Sequence, residues 1–307
     1  MTPPRVLVTG GAGFVGVNLA PVLAEAGFVT RCYDDFSTGH RTDAERASYD
    51  EIVEGDVLDA AALAEAAVGC THVVHLAAQA GVPTSVADPV RDCELNVRGT
   101  LNALMAARDV GVEGFVFASS NAPLGEIEPP AHEGMVPRPT SPYGASKLAG
   151  EAYCSAFAGS YGVPAAVLRF SNVYGPFSYH KGSVVAAFCK RAMAGEPLVV
   201  YGDGKQTRDF VFVEDLARGI GAALAHGGAG VVAHLGSGTE TTVLEVARLV
   251  SDRLGDVPVE HHPARTGDVE RSSSDISRAR ELFGYAPRVS LEEGLDRTAA
   301  WFRESGA

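Results

Sequence analysis

The sequence lacks any long uninterrupted run of apolar residues. Although 46% of its 307 residues are hydrophobic, no window approaches the roughly 18 consecutive apolar residues that a membrane-spanning helix requires. The amino terminus, MTPPRVLVTGG, enters a predicted strand at once and leaves no room for a signal peptide. We therefore expect a cytoplasmic protein that does not bind a membrane.

Positive charge and paired cysteines are also scarce. Lys and Arg number 25 against 38 Asp and Glu, which gives a formal net charge of -13. This excess argues against a nucleic-acid-binding surface but permits a small basic pocket for a phosphorylated ligand. The five cysteines lie far apart without a CxxC pair, and the histidines do not cluster. We expect reduced, mostly buried thiols and no metal site.

What the sequence does contain is an alternation of strands and helices. The apolar runs RVLVTG, FVTRCYDD, EIVEGDVLD, THVVHLAA, GFVFASS and PAAVLRFSNVYG are typical of strands, and helical patterns fit between them. This alternation predicts an α/β fold, with a doubly wound parallel sheet of Rossmann type covered by helices on both faces. After residue 175 the pattern loosens, which predicts a smaller carboxyl-terminal lobe over the sheet's carboxyl edge.

A glycine-rich turn follows the first predicted strand. TGGAGFVG places Gly10, Gly13 and Gly16 between a strand and a helix. Glycine permits positive φ and lets the backbone approach a pyrophosphate, whose charge the helix amides stabilise. Asp34 ends the second strand, where a carboxylate accepts hydrogen bonds from ribose hydroxyls and repels a 2′-phosphate, so we expect NAD rather than NADP. Asp56, after the third strand, suits either the adenine amino group or the N-cap of the next helix.

Tyr143 and Lys147 lie four residues apart in YGASK, on one face of a predicted helix. A free tyrosine has a pKa near 10 and is a poor base at neutral pH. An adjacent ammonium and a positively charged nicotinamide ring both favour the phenolate, and we expect them to bring the tyrosine pKa to about 7.

Seven motifs occur together in a fixed order. They are TGGAGFVG, the aspartate after the second strand, HLAA, ELNVRGT, the serines at 119–120, YGASK and RFSNVYGP. Together they resemble the extended short-chain dehydrogenase/reductase family, and within it the UDP-glucose and UDP-glucuronate 4-epimerases. The resemblance covers nearly the whole chain.

The resemblance implies a site residue by residue. Tyr143 would be the general base, Lys147 would hold the nicotinamide ribose, and Ser120 would bond the reacting hydroxyl. The cofactor would be lined, besides Tyr143 and Lys147, by Gly10, Gly13, Phe14, Val15, Asp34, Asp35, Ser37, Asp56, Val57, Leu76, Ala77, Ala78, Gln79, Asn96, Ser119 and Tyr174. The UDP-sugar would be lined by Ser85, Ser120, Asn121, Tyr143, Asn172, Lys181, Ser183, Val184, Tyr201, Gln206, Arg208, Arg265 and Asp268.

The resemblance also implies more specific roles for some of these residues, and several of them have a purely structural alternative. Asn172 would contact the substrate diphosphate, Tyr201 would stack on the nucleobase, and Tyr174 would pack near the nicotinamide. Arg208 and Arg265 would clamp the phosphates, with Asp268 near the ribose. Alternatively, Arg208 and Asp209 form a surface ion pair and Tyr201 is plain core. His180 or Lys181 would meet a C6 carboxylate, or else Lys181 is a solvated loop residue.

The same resemblance predicts domains and an assembly. We expect an NAD-binding domain over residues 1–175 that also receives 208–235, and a mostly substrate-binding lobe over 176–307. A homodimer would form through helices within 97–108 and 147–160. The apolar residues there fit burial within one subunit equally well: Leu101, Leu104, Met105, Tyr153 and Phe157.

The turn after Ser120 separates the reactions of the family. Dehydratases carry an Asp-Glu pair there and UDP-glucuronate decarboxylases a glutamate, whereas this chain has Asn121 and Ala122, which cannot exchange a proton as a carboxyl does. We therefore expect a 4-epimerase acting on a UDP-hexose or UDP-hexuronate. The alternatives are an NAD(P)-dependent nucleotide-sugar reductase and a non-catalytic dinucleotide-sensing protein. Pro123, Leu124 and Gly125 replace the VYG of many relatives, a departure that concerns the substrate, because Tyr143, Lys147 and Ser120 are all present.

Overall fold

The computed structural model describes residues 3–228, 230–264 and 269–306. Its strands are β1 Arg5–Thr9, β2 Val29–Asp34, β3 Glu51–Glu54, β4 His72–His75, β5 Gly114–Ser120, β6 Ala165–Phe170, β7 Asn172–Tyr174, β8 Leu198–Tyr201, β9 Thr207–Arg208, β10 Phe210–Phe212, β11 Val231–Leu235, β12 Thr241–Thr242 and β13 Val259–His262. Its helices are α1 Phe14–Glu25, α2 Arg41–Arg46, α3 Ala60–Ala67, α4 Val82–Ala87, α5 Pro89–Cys93, α6 Gly99–Val110, α7 Pro142–Tyr161, α8 Val184–Met193, α9 Val213–His226, α10 Val243–Leu254, α11 Ser277–Phe283 and α12 Leu291–Ser305. A π-helical turn, Glu94–Arg98, joins α5 to α6, and a 3-10 turn, Ala122–Leu124, follows β5.

A parallel sheet of seven strands forms the centre of the fold, in the order β11-β6-β5-β4-β1-β2-β3. Successive side chains of a strand point to opposite faces. Val6 and Val8 accordingly pack in one apolar cluster and Leu7 in another. Burial on both faces explains why these strands are continuous apolar runs. The predicted α/β fold of Rossmann type is confirmed.

The strand order reverses at β1, since the chain runs outward through β2 and β3 and then returns to place β4 on the other side of β1. Loops that leave the carboxyl ends of β1 and β4 therefore diverge and open a crevice between them. Gly10 follows β1 and Leu76 follows β4, so the glycine-rich turn and the HLAA motif both border this crevice.

The last predicted strand of the first half is divided in two. Ser171 separates β6 from β7, and its N–H donates to the Leu235 carbonyl of β11. Beyond it the chain leaves the large sheet and β7 pairs with β10. The segment from 208 to 235 returns to the first half: β11 pairs with β6, and Ile220 of α9 lies in the same apolar cluster as Leu23 of α1.

The carboxyl-terminal lobe has an apolar core of its own. Phe188 of α8, Val246 of α10 and Phe302 of α12 are buried there together. Two small sheets complete it, β8 with β13 in parallel and β9 with β12 antiparallel. In the part of the chain described, no helix is long and apolar enough to cross a membrane.

Helix α7 carries the Tyr–Lys pair, and its boundaries position that pair. Ser141 caps the amino terminus, with its Oγ accepting a hydrogen bond from Gly144 N at 3.1 Å. The helix ends at Gly162, whose φ of +70° is the left-handed conformation that glycine adopts at low cost. Tyr143 thus lies in the first turn of α7 and Lys147 one turn later, next to the carboxyl end of β5.

Candidate active site

The turn after β1 forms a cradle that fits a phosphate group. Gly10 has a φ of +68°, and a Cβ there would lie 2.6 Å from Ala77 N, so a side chain is excluded. Gly13 is the N-cap of α1 and provides no side-chain cap. The first-turn amides, including those of Phe14 and Val15, are therefore left for an anion.

Asp34 ties this turn to the end of β2. Its Oδ2 accepts from Ala12 N at 3.0 Å and its Oδ1 from Phe36 N at 2.8 Å. Burial raises the pKa of Asp34, and the two backbone hydrogen bonds oppose this. Each carboxylate oxygen keeps a lone pair for a ribose hydroxyl. Asp35 lies next to it at the exposed rim, with its Oδ1 accepting from Ser37 N and Oγ.

Asp56 does not cap the helix that follows it, so that alternative is wrong. Its Oδ1 accepts from Leu58 N at 2.8 Å, while Asp59 caps α3 by accepting from Ala61 N and Ala62 N. Asp56 and the adjacent Val57 remain at the carboxyl edge of the sheet, and their contact with adenine remains a prediction.

Asn96 holds the loop after β4 in place. Its Oδ1 accepts from Gln79 N at 2.8 Å and its Nδ2 donates to Gln79 O at 3.0 Å. The same Nδ2 also contacts Asp92 Oδ1 at 2.9 Å and Ser146 Oγ at 3.1 Å. The amide is thus engaged by protein groups, and its role is to clamp the Leu76–Gln79 loop, including Ala77 and Ala78, against α7. It lies in the π-helical turn, a distortion frequent at functional sites.

The structure brings the three predicted catalytic residues together. The Tyr143 hydroxyl is hydrogen-bonded to the Ser120 side chain. Ser120 Oγ accepts from Ala122 N at 3.1 Å, which orients it at the end of β5. Lys147 Nζ donates to Ala118 O at 2.9 Å and lies 6.0 Å from the centre of the Tyr143 ring.

The electrostatics of this cluster differ from the prediction. Burial raises the pKa of Tyr143, the hydrogen bond from Ser120 lowers it, and the nearby Asp92 raises it. Burial lowers the pKa of Lys147 to about 8, and Asp92 opposes this. Without the cofactor, burial therefore disfavours the phenolate. The lowering expected from the ammonium together with a positive nicotinamide ring remains a prediction.

Asp92 is a residue of the site that sequence reasoning missed. It is 1% exposed, and its Oδ2 has no hydrogen-bond partner among the described residues. The only signal for it in the sequence is its position one helical turn before Asn96.

The side chains of Asn121 and Ser119 are both engaged by protein groups. Asn121 Nδ2 donates to Ser274 Oγ at 3.0 Å, and its Oδ1 lies 3.0 Å from His234 Nδ1. Ser119 Oγ donates to Glu151 Oε1 at 2.6 Å. Asn121 thus links β5 to β11 and to the carboxyl-terminal segment, and Ser119 belongs to a buried ion-pair network. Their contacts with substrate and cofactor remain predictions.

Tyr174 likewise lies in the core of the carboxyl-terminal lobe. It is 2% exposed and packs edge-on against Phe210 and Phe212. Its hydroxyl donates to Leu291 O at 3.4 Å. This placement gives no support to a contact with the nicotinamide.

The predicted nucleotide contacts lie on the carboxyl-terminal lobe. Tyr201 is half-buried at the end of β8, where Gln206 Nε2 donates to its carbonyl oxygen at 2.9 Å. Arg208 Nη1 donates to Val269 O at 2.6 Å. Asp209 is 0% exposed and accepts from Ser237 N at 2.7 Å, so the alternative of a surface ion pair is wrong. Arg265 and Asp268 lie outside the described residues.

The remaining predicted substrate contacts are spread over three elements. Ser85 is buried in α4 and donates to Val82 O at 2.8 Å. Asn172 is exposed at the start of β7. Ser183 precedes α8, which begins at Val184, and its Oγ is buried without a partner in the described structure.

Lys181 is not a solvated loop residue, so that alternative is wrong. Its Nζ donates to Val173 O at 3.1 Å and lies 4.3 Å from the centre of the Phe14 ring. Phe14 is the first residue of α1, so this ammonium lies beside the glycine-rich turn.

A Rossmann-type sheet with an uncapped glycine turn, and a half-buried tyrosine one helical turn from a buried lysine, define an enzyme of the short-chain dehydrogenase/reductase type. The chain belongs to the NAD-dependent epimerase/dehydratase family, whose model matches residues 6–236. The cofactor of the family is NAD, as the sequence predicted, and the glycine turn and Asp34 fit it.

Different relatives of the chain are named for different reactions. The UDP-glucose 4-epimerase of Mycolicibacterium smegmatis is 38% identical, over 97% of this chain and 98% of that protein. UDP-glucuronic acid decarboxylase 1 of Xenopus tropicalis is 33% identical, over 98% of this chain and 72% of that protein. The fold is also similar to that of UDP-glucose 4-epimerase from Thermotoga maritima, whose structure contains UDP-glucose. The TM-score is 0.92 and the sequence identity 36%, over 99% of this chain and 100% of that chain.

Proposed function

We propose that this protein is a nucleotide-sugar 4-epimerase acting on a UDP-hexose or UDP-hexuronate with tightly bound NAD. The observation that carries the proposal is the hydrogen-bonded Tyr143 and Ser120 beside Lys147, with no carboxyl group at positions 121 and 122. The similarity to 4-epimerases over almost the whole chain supports it.

Each catalytic side chain has one task in this proposal. Tyr143 Oη takes the proton of the C4 hydroxyl, Ser120 Oγ holds that hydroxyl, and Lys147 Nζ holds the nicotinamide ribose. NAD, when bound, accepts the hydride of C4 and supplies it again. The 4-keto sugar turns about its diphosphate linkage and presents its other face. Tyr143 then returns the proton, so the enzyme ends each turnover as it began.

The pKa of Tyr143 makes its activity depend on the cofactor. Burial and Asp92 both favour the neutral phenol, whereas a positive nicotinamide ring favours the phenolate. Oxidised NAD, when bound, would therefore make Tyr143 a stronger base than it is in the cofactor-free protein.

Dehydration or decarboxylation would need a different set of side chains at the sugar. Elimination requires a carboxyl group that gives and recovers a second proton. Asn121 is a carboxamide held by Ser274 and His234, and Ala122 is apolar. Asp92 is 1% exposed and bonded to Asn96, so no open path leads from it to a sugar.

The experiment is to incubate the purified protein with UDP-glucose, UDP-N-acetylglucosamine and UDP-glucuronate separately and to resolve the C4 epimers by NMR. We expect one or more to equilibrate without added NAD. Tyr143→Phe should lower turnover by at least about a hundredfold, the scale of general acid–base catalysis, and keep its NAD.

Tyr161→Phe is the matched control, because Tyr161 ends the same helix and is 56% exposed. It should turn over at the parent rate. A 4-keto-6-deoxy product, release of carbon dioxide, or equal rates for the Tyr143→Phe variant and the parent would refute the proposal.

A further inference from the structure

Lys181 is a partly buried cation, and the contacts of its ammonium with the protein are with neutral groups. Its Nζ contacts the Val173 carbonyl oxygen at 3.1 Å and the face of the Phe14 ring at 4.3 Å. Burial lowers its pKa to about 8, and no charged neighbour opposes this shift. In the described part of the chain, no carboxylate forms an ion pair with it.

Such an arrangement costs stability unless a ligand completes it. Removing an ammonium from water is expensive, and a single carbonyl and an aromatic face recover only part of the cost. A buried anion is the usual compensation. The described residues supply none to Lys181.

The surroundings of Lys181 indicate which anion. Phe14 begins α1, whose first-turn amides lack a side-chain cap. Asn18 of the same helix donates through Nδ2 to Phe14 O at 2.7 Å and to Pro176 O at 3.1 Å. This bridge fastens the 175–183 segment to the amino-terminal end of α1. Ser183 lies two residues after Lys181, and its Oγ is buried without a hydrogen-bond partner among the described residues. The 175–183 segment thus contains a second polar group that could bind a ligand.

We propose that Lys181 binds the pyrophosphate of the dinucleotide, and that the 175–183 segment thereby retains the cofactor through turnover. The ammonium then adds a charged contact to those of the α1 amides. This assigns Lys181 to the cofactor rather than to a C6 carboxylate of the sugar. It rests on NAD binding and not on the sugar that is epimerised, so the two proposals fail separately.

Three substitutions at one position separate charge from hydrogen bonding. Lys181→Met removes both, Lys181→Gln removes the charge and keeps a donor for Val173 O, and Lys181→Arg keeps the charge. Lys190→Met is the matched control, because Lys190 Nζ donates to the Lys181 carbonyl at 3.0 Å and so supports the same segment from outside the cradle.

The measurements are the NAD content of the purified protein after acid release and the Kd of cofactor-free protein for NAD by calorimetry. We expect the Met and Gln variants to bind NAD at least about tenfold more weakly, as for a lost charge-assisted contact. The Arg variant and the Lys190→Met control should stay within about threefold of the parent. Cofactor-free Lys181→Met should melt no lower than the parent, because an uncompensated buried charge is gone.

Unchanged NAD affinity in both the Met and the Gln variant would overturn the proposal, and the other readouts then identify the actual role. A loss of kcat/KM confined to UDP-glucuronate would assign Lys181 to the sugar carboxylate. A lower melting temperature with normal NAD binding would make it a structural hydrogen bond. If the Met variant does not fold, the Gln variant decides the matter alone.

Discussion

Lowering the pH below the ordinary pKa of histidine should destabilise this protein through two imidazoles that it buries in the neutral form. His75 is 1% exposed and His234 is 0% exposed. Burial lowers the pKa of both to about 3, assisted by Lys147 for His75 and by Arg169 for His234.

Hydrogen bonds fix the neutral tautomer of each ring. The Thr100 hydroxyl lies 2.6 Å from Asn96 O and donates to it, so its oxygen is free to accept. His75 Nε2 therefore donates to Thr100 Oγ1. In the neutral ring His75 Nδ1 then carries no proton, and it accepts from Thr9 Oγ1 at 2.7 Å. His234 Nδ1 donates to Asn121 Oδ1 at 3.0 Å. A further proton on His75 would break its bond from Thr9.

The size of the effect follows from proton linkage. The unfolded chain binds a proton at each histidine below the ordinary pKa of 6.5, and the folded protein does not. Stability is therefore present above pH 6.5 and is lost, as the pH falls toward 3, at about 1.4 kcal/mol per pH unit for each histidine. At about pH 5 the loss is about 2 kcal/mol per histidine. Because both folded values lie well below 5, this figure does not depend on their exact size.

The assay is urea unfolding between about pH 7 and pH 5, followed by the fluorescence of Trp301, the single tryptophan. The His234→Asn variant keeps an amide donor for Asn121. As the pH falls, its free energy of unfolding should decrease less steeply than that of the parent, and the two slopes should differ by about 1.4 kcal/mol per pH unit. Carboxylates titrate in both proteins and cancel in this difference. His40→Asn removes an exposed imidazole that does not act on His234 and controls for the substitution itself. Equal slopes for the parent and His234→Asn, or an NMR titration of His234 with a midpoint near 6.5, would refute the reasoning.

Three further outcomes are expected. Glu151→Ala should lower the free energy of unfolding by about 3–5 kcal/mol, because it leaves Arg169 buried without the carboxylate that now binds it at 2.7 and 2.9 Å. Asp34→Asn should improve NADP binding relative to NAD by about tenfold in Kd, since it removes the charge that repels a 2′-phosphate. Tyr153→Glu should convert a dimer to monomers in sedimentation experiments, because Tyr153 and Met105 are 38% and 39% exposed on the two helices predicted to pair.

Each of these has a matched comparison. Glu65→Ala changes a glutamate outside the network and should leave unfolding within about 0.5 kcal/mol of the parent. For Asp34→Asn, a proportional loss of both cofactors would show that the carboxylate only orders the turn through Ala12 and Phe36. A parent that sediments as a monomer would remove the basis for the third expectation.

The departure of Asn121 from the dehydratase pattern has a structural reason. Its amide nitrogen and oxygen are both engaged, by Ser274 and by His234, so the residue acts as a link between β5, β11 and the carboxyl-terminal segment. A carboxylate there would lose the amide donor to Ser274. The amide therefore serves as a structural link in this chain.

The sequence by itself determined the features that depend on neighbouring residues. Apolar runs interrupted by helical periods specify a parallel sheet, because both faces of each strand are buried. The glycines at 10, 13 and 16 specify a tight turn before a helix, and the spacing of Tyr143 and Lys147 specifies a shared helical face. These are local steric and periodic requirements, so they can be recognised without tertiary contacts.

Only the tertiary structure decided which polar side chains face a ligand and which bind one another. Asn121 and Ser274 are 153 residues apart, and Asn96 and Ser146 are 50 apart. Lys181 meets Phe14 only because α1 and the segment after β7 pack together. Burial likewise raises the pKa of Tyr143 in the protein without cofactor. Such contacts, and the desolvation that accompanies them, arise when distant segments are brought together, and local sequence patterns carry no record of that packing.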